Sequence, residues 1–77
     1  MKITDDIYVR ILDMPAGIYA FTVKDEEGNF NIYLNAKLCD MHRYISYKHE
    51  IEHIVRGDWK SPLPVWLIEE IVRGTTA

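Results

Sequence analysis

The sequence has a single cysteine, Cys39, and no apolar run that approaches the length of a membrane span. One cysteine excludes an intramolecular disulfide and favours a reducing, cytoplasmic setting. A membrane-spanning helix needs roughly 20 consecutive apolar residues, so we expect no membrane association. The first ten residues, MKITDDIYVR, also lack the apolar segment of a signal peptide.

A surplus of positive charge is equally absent. Nine lysine and arginine residues stand against 12 aspartate and glutamate residues, which gives a formal net charge of −3. Because nucleic-acid-binding domains usually carry a basic surplus, direct binding of nucleic acid is not expected. The 77 residues contain no internal repeat, and 48% of them are hydrophobic. We therefore expect a single domain over residues 1–77, small enough for a metal crosslink to matter for its stability.

The first half of the chain alternates apolar and polar residues in the way that β-strands do. The pattern predicts strands over Ile7–Leu12, about Gly17–Lys24 and Phe30–Asn35. Met14–Gly17 has proline second and glycine fourth, which favours a type I turn, and Asp25–Asn29 has the composition of a hairpin loop. These short connections predict a three-stranded antiparallel meander.

The second half begins with a stretch of helical periodicity. A helix is predicted over about Met41–Arg56, with Asp40 as its N-cap and Gly57 as its C-terminal stop. The apolar residues of this helix fall within one arc, which we expect to pack on the sheet: Tyr44, Tyr47, Ile51, Ile54 and Val55.

A second helix is predicted over about Pro62–Arg73, with Ser61 as its N-cap and a proline at its first position. It is apolar nearly all round, which is typical of a helix that is buried or paired, and it suits a homodimer or partner interface. The predicted fold is therefore α+β, a three-stranded antiparallel sheet followed by two helices.

His49, Glu50 and His53 form an HExxH pattern on the first predicted helix. Residues four apart share a helix face, so the two imidazoles can bind one zinc ion at about 2.0–2.1 Å. Glu50 lies about 100° around the helix from His49, where its carboxylate can act as general base on a water held by the metal. The alternative interpretation is two solvent-facing histidines on an amphipathic helix that binds no metal.

A third zinc ligand is expected from a carboxylate beyond the motif helix. Glu69 and Glu70 on the second helix are the leading candidates, because a carboxylate on a nearby helix can close a His₂Glu site. Asp58 is nearer in sequence, but its position is more typical of a cap, a turn or a hydrogen-bond partner of a ligating histidine. His42 lies seven residues before His49, about 10 Å along the helix axis, and is too distant to share the ion.

Three segments together resemble the ImmA/IrrE family of metallopeptidase-like proteins, especially the short members encoded in prophages and mobile elements. They are Ile32–Leu38 (IYLNAKL), Tyr47–Ile54 (YKHEIEHI) and Gly57–Trp59, and the resemblance extends over about Ala20–Ile71. It implies a minimal zincin-like fold, in which the two motif histidines and a glutamate on the next helix bind zinc and the motif glutamate is the general base. The Ile68-Glu69 step is similar to the family pattern, and this favours Glu69 over Glu70 as the ligand.

Two functions of different classes follow. The first is a small zinc-dependent metallopeptidase that hydrolyses peptide bonds of a protein or peptide with a metal-activated water; the resemblance adds a helix-turn-helix repressor as a candidate substrate. An extended substrate is expected to pair with the exposed edge of a strand, with Phe30–Asn35 as the candidate. The second is a non-catalytic, zinc-stabilised protein-binding module. An open coordination position on the metal would distinguish the enzyme from the module.

Overall fold

Three strands followed by two helices make up residues 6–74, the part of the chain that this computed structural model describes. The elements are β1 (Ile7–Leu12), β2 (Ala20–Lys24), β3 (Phe30–Asn35), α1 (Asp40–Arg56) and α2 (Val65–Gly74). The predicted α+β class, with a three-stranded sheet and two helices, is confirmed. Within residues 6–74, neither helix has the length and apolar character needed to cross a membrane.

The sheet is mixed, with β3 in its centre and the strand order β1-β3-β2. β2 and β3 form the predicted antiparallel hairpin, in which Thr22 lies opposite Ile32. On the other side of β3, β1 runs parallel to it and places Val9 opposite Ile32. The prediction of an antiparallel meander is therefore wrong. Strand periodicity indicates which face a residue occupies, but it carries no information about which strand lies alongside.

The buried side chain of Asn35 explains why β1 lies beside β3. Its amide nitrogen donates to the carbonyl oxygens of Pro15 and Ile18, at 3.2 and 2.7 Å. Its amide oxygen accepts hydrogen bonds from the backbone N–H groups of Met14, at 3.3 Å, and Lys37, at 3.0 Å. Because these bonds tie the segment after β1 to the end of β3, β1 is directed to β3 and away from β2.

The turn after β1 is displaced by one residue from its predicted position. A hydrogen bond of 3.2 Å from the Ile18 N–H to the Pro15 carbonyl defines a turn over residues 15–18. Gly17 is its third residue and has a φ of 99°, which is typical of a type II turn rather than the predicted type I. The hairpin loop between β2 and β3 agrees with the prediction, with Gly28 at a φ of 91°.

The sheet carries one helix on each face. Successive residues of a strand point to opposite faces, so Phe21 and Thr22 mark the two sides of β2. Phe21 belongs to a buried cluster with Tyr33 and Ile71, which brings α2 onto this face. Thr22 is hydrogen bonded to Glu50 of α1, which places α1 on the opposite face. The sheet therefore separates the motif helix from α2.

Helix α1 begins at Asp40, which was predicted to be its N-cap. Cys39 occupies the N-cap position without a side-chain hydrogen bond, and its free thiol is exposed. Asp40 forms an ion pair with Arg43 in the first turn, where an acid complements the positive end of the helix dipole. Gly57 ends the helix as predicted, in the left-handed conformation with a φ of 83°.

The predicted apolar stripe of α1 faces the sheet only in part. Tyr47, Ile51 and Ile54 are half-buried, whereas Tyr44 and Val55 are exposed. The helix is rotated toward the side that carries the motif glutamate, so a polar side chain takes a place in the interface with the sheet.

Helix α2 begins at Val65, three residues later than predicted. In the preceding turn the Ser61 hydroxyl accepts a hydrogen bond from the Leu63 N–H at 3.2 Å, and the first helical hydrogen bonds go to the Pro64 carbonyl. The predicted N-cap at Ser61 is therefore wrong. Leu63 precedes a proline, which disfavours helical backbone at that position and accounts for the later start of the helix.

Candidate metal centre

The two histidines of the HExxH pattern converge on one point beside the C-terminal half of α1. Their Nε2 atoms are 2.9 Å apart, and the ring planes are inclined by 86°. Two nitrogens on one tetrahedral zinc ion, at about 2.0–2.1 Å each, would be separated by roughly 3.3 Å. The spacing of His49 and His53 is therefore within a small side-chain adjustment of that required for a shared ion.

Asp58 is brought to the second histidine by the way α1 ends. The left-handed Gly57 lets the chain close back on the last turn, with its N–H bonded to the Ile54 carbonyl at 3.1 Å and the Asp58 N–H bonded to the His53 carbonyl at 3.0 Å. This pair of bonds is a Schellman motif. It places the Asp58 carboxylate 2.9 Å from Nδ1 of His53.

The contact between Asp58 and His53 sets the tautomer of the imidazole. A carboxylate can only accept a hydrogen bond, so Nδ1 of His53 carries a hydrogen in this contact, and Nε2 is the nitrogen that can offer a lone pair to a metal. The hydrogen bond from His53 also lowers the pKa of the Asp58 carboxyl below its ordinary value, against the opposing effect of desolvation. Asp58 is therefore a hydrogen-bond partner of a motif histidine, which is one of the three roles that its sequence position suggested.

Glu50, the glutamate of the pattern, is held by a contact with the sheet. The Thr22 hydroxyl donates a hydrogen bond of 2.6 Å to Oε1 of Glu50. Thr22 is only 2% exposed, and its backbone forms an isolated parallel bridge with Lys60, in the segment that follows Asp58. Sequence reasoning missed Thr22, because nothing in its local pattern links residue 22 to residue 50.

A groove of about 370 Å³ joins these groups. Its lining includes the three motif side chains and the segment after α1: His49, Glu50, His53, Asp58, Trp59 and Lys60. Trp59 is half-buried and packs edge-on against Phe30, with ring centroids 5.5 Å apart. It therefore serves as a packing residue and also borders the groove.

The predicted third ligand is not brought to the histidines. Glu69 is exposed on α2. It lines one groove together with Val23 and Tyr33 and a second groove at the edge of β2, and it does not line the groove that contains the histidines. Glu70 is also exposed; it lines one groove with Glu69 and another with Asp13, and neither is the groove of the histidines. Among residues 6–74, no three His, Cys, Asp or Glu side chains are grouped so that they could hold a metal ion.

The strand that was predicted to pair with a substrate has no free edge. Phe30–Asn35 is the central strand, so both of its edges are already occupied by β1 and β2. The strand beside the groove is β2, whose Ala20 and Phe21 contribute to the lining. The Tyr19 carbonyl accepts a hydrogen bond from β3, so by alternation the backbone groups of Ala20 point to the outer edge.

No family model matches the sequence. No curated protein and no solved structure matches it either. The resemblance to the ImmA/IrrE family therefore stays a prediction from the motif residues.

Proposed function

We propose that this chain is a small zinc-dependent metallopeptidase-like protein, with His49 and His53 as zinc ligands and Glu50 as the general base. The observation that carries the proposal is the convergence of the two Nε2 atoms, 2.9 Å apart, in the groove that also contains the Glu50 carboxylate. Paired histidines on one helix face next to a glutamate are the part of a metal-dependent hydrolase site that the HExxH pattern supplies.

The residues of the groove have separate tasks in this proposal. A bound zinc ion would supply a Lewis acid that lowers the pKa of a water to about 7 and polarises a carbonyl oxygen. Asp58 keeps the hydrogen of His53 on Nδ1, which leaves Nε2 free to bind. Glu50 accepts a proton from the attacking water, and the Thr22 hydroxyl holds the carboxylate in place.

The substrate class follows from the strand beside the groove. The outward backbone groups of Ala20 offer an extended peptide a partner for main-chain hydrogen bonds, in the manner of strand addition. Further along β2, the edge at Thr22 is already paired with Lys60. A peptide would thus lie along the first residues of β2, next to the histidines. A helix-turn-helix repressor remains the candidate protein substrate that the family resemblance implies.

The second function, a non-catalytic zinc-stabilised binding module, is supported by the hydrogen bond between Thr22 and Glu50, which gives the motif glutamate a structural role. The absence of a third ligand among the described residues weakens the catalytic proposal, because a catalytic zinc site has three protein ligands. Residues 6–74 bring two histidines together, but Glu69 lies in grooves on the far side and at the edge of the sheet. In a module of this kind the metal would stabilise the end of α1 and the segment after it, and Glu50 would have only a structural hydrogen bond to Thr22.

Metal binding is tested first, on purified protein. Wild type is expected to bind about one zinc per chain, and zinc is expected to raise the melting temperature, because binding is linked to folding. The His49→Ala, His53→Ala double variant should lose both effects. His42→Ala is the matched control, since it removes an exposed histidine of the same helix outside the groove. Stoichiometric binding by the double variant would exclude this site.

Catalysis is tested with Glu50→Gln, with Glu52→Gln as the control for an exposed glutamate of the same motif. Glu50→Gln should leave zinc content and thermal stability nearly unchanged and abolish cleavage of an unstructured protein or a repressor encoded alongside. Glu52→Gln should cleave as wild type does. Equal cleavage by wild type and Glu50→Gln would indicate a contaminating protease. A zinc-loaded wild type that cleaves nothing would favour the binding module.

A further inference from the structure

The outer edge of β1 is open and apolar. β1 is an end strand of the sheet, and in the part of the chain that the structure describes no strand lies beyond it. Four of its residues are 41–53% exposed: Ile7, Tyr8, Val9 and Ile11. Arg10 is the only charged residue of the strand, and its register with β3 is continuous from end to end, without a bulge. Proline, bulges and several charges are the usual protections of an exposed edge, and β1 has none of them.

The backbone groups that face outward can be identified from the bonds to β3. The carbonyl of Asp6 accepts from Phe30 at 2.9 Å, and that of Leu12 accepts from Ala36 at 2.7 Å. The even-numbered residues therefore point their hydrogen-bonding groups to β3. Because the direction alternates along a strand, Ile7, Val9 and Ile11 point their N–H and C=O groups away from the sheet. Three donors and three acceptors thus form the outer edge.

We propose that a second copy of this chain pairs with β1 in antiparallel orientation, about a two-fold axis at Val9. In this register Val9 lies opposite Val9 of the second copy, and Ile7 lies opposite Ile11. Residues that point toward each other in an antiparallel pair exchange both of their backbone hydrogen bonds. All six outward groups of each copy are then satisfied, and the two sheets join into one of six strands.

The side chains of β1 are complementary to themselves in the same register. Ile7, Val9 and Ile11 lie on one face and form an apolar row with the same residues of the second copy. On the other face Tyr8 lies opposite Arg10, a pair that already interacts within the chain, with the guanidinium carbon 6.0 Å from the ring centroid. Moving the axis one residue, to Arg10, would place Arg10 opposite Arg10, and like charges directly opposite are destabilising. This self-complementarity favours a second copy over a different partner, because a two-fold contact uses the same patch twice.

Sedimentation velocity over a concentration series tests the proposal. The contact involves one strand from each copy, so the dimer is expected to be weak and to accumulate as the concentration rises. Val9→Pro should abolish it. Proline removes an N–H that points outward and is tolerated on an edge strand, so the ladder between β1 and β3 is kept. Val9→Thr is the matched control, because it keeps the N–H and a β-branched side chain, and it should dimerise as wild type does.

Hydrogen exchange of the wild type supplies a measurement that needs no variant. The amides of Ile7, Val9 and Ile11 should exchange slowly at high concentration and quickly at low concentration, while those of Tyr8 and Arg10 stay protected throughout. A chain that remains monomeric at every concentration, a dimer that Val9→Pro leaves intact, or outward amides whose protection is independent of concentration would each overturn the proposal. The metal site takes no part in these measurements, so their outcome is independent of whether the proposed function is correct.

Discussion

At the scale of single residues, the candidate site depends on two polar contacts that connect distant parts of the sequence. Asp58 fixes the ring of His53 from the segment after α1, and Thr22 fixes the carboxylate of Glu50 from the sheet. Both contacts orient a group of the HExxH pattern without belonging to the pattern. The precision of the site therefore rests on side chains that the motif does not include.

Thr22→Val is the substitution that probes the contact with Glu50. Valine has the shape of threonine but no hydroxyl, so Glu50 loses a donor, and we expect a loss of about 1–2 kcal/mol in the free energy of unfolding. Zinc content should stay as in wild type, and the rate of cleavage should fall if Glu50 is the base. Thr22→Ser keeps the hydroxyl and should restore most of the rate. If valine and serine have equal effects on the rate, the hydroxyl does not position Glu50. Urea denaturation and the cleavage assay measure the two effects.

At the scale of elements, local patterns predicted β3 and most of α1 correctly, whereas the ends of α2 and the turn after β1 were displaced. β3 has the bounds that its alternation predicts, Phe30–Asn35. The position of β1 in the sheet was not predictable from its own residues. It depends on a side chain at the end of β3, Asn35, that bonds to the segment after β1.

Asn35→Ala tests whether that side chain holds β1 and its connection in place. Asn35 is 2% exposed, and its removal leaves several backbone groups without partners. We expect a loss of roughly 3–5 kcal/mol in the free energy of unfolding, since each unsatisfied buried group costs about 1–3 kcal/mol. Asn29→Ala is the comparison: its side chain accepts one exposed hydrogen bond of 3.3 Å from the Asp6 N–H just before β1, and the substitution should cost less than about 1 kcal/mol. A loss at Asn35 as small as that at Asn29 would contradict this account of the strand order. Chemical denaturation measures both.

At the scale of the whole molecule, the sheet decides which groups can meet. α1 and its histidines lie on one face, and α2 packs through Ile71 on the other. Two helices that follow each other in sequence are thereby separated by a layer of strands. The separation affects the predicted ligand set directly, because Glu69 belongs to α2.

Glu69→Gln distinguishes this arrangement from the one that the family resemblance implies. With α2 on the far face, the substitution should change zinc affinity no more than Glu70→Gln does, because neither carboxylate lies in the groove of the histidines. Competition with a chelator measures the affinities. A large loss of affinity for Glu69→Gln alone would show that α2 occupies the other face when zinc is bound, as the resemblance predicts.

The sequence alone determined the class of the fold, the hairpin of β2 and β3, the motif helix and the pairing of His49 with His53. Each of these depends on residues close together in the chain, where backbone periodicity and turn chemistry act. The tertiary structure alone decided the strand order, the faces on which α1 and α2 pack, and the contacts of Thr22 and Asn35. These features depend on contacts between residues far apart in sequence, which a local pattern does not encode. The partners that hold Glu50 and β1 in place are therefore determined by the tertiary structure.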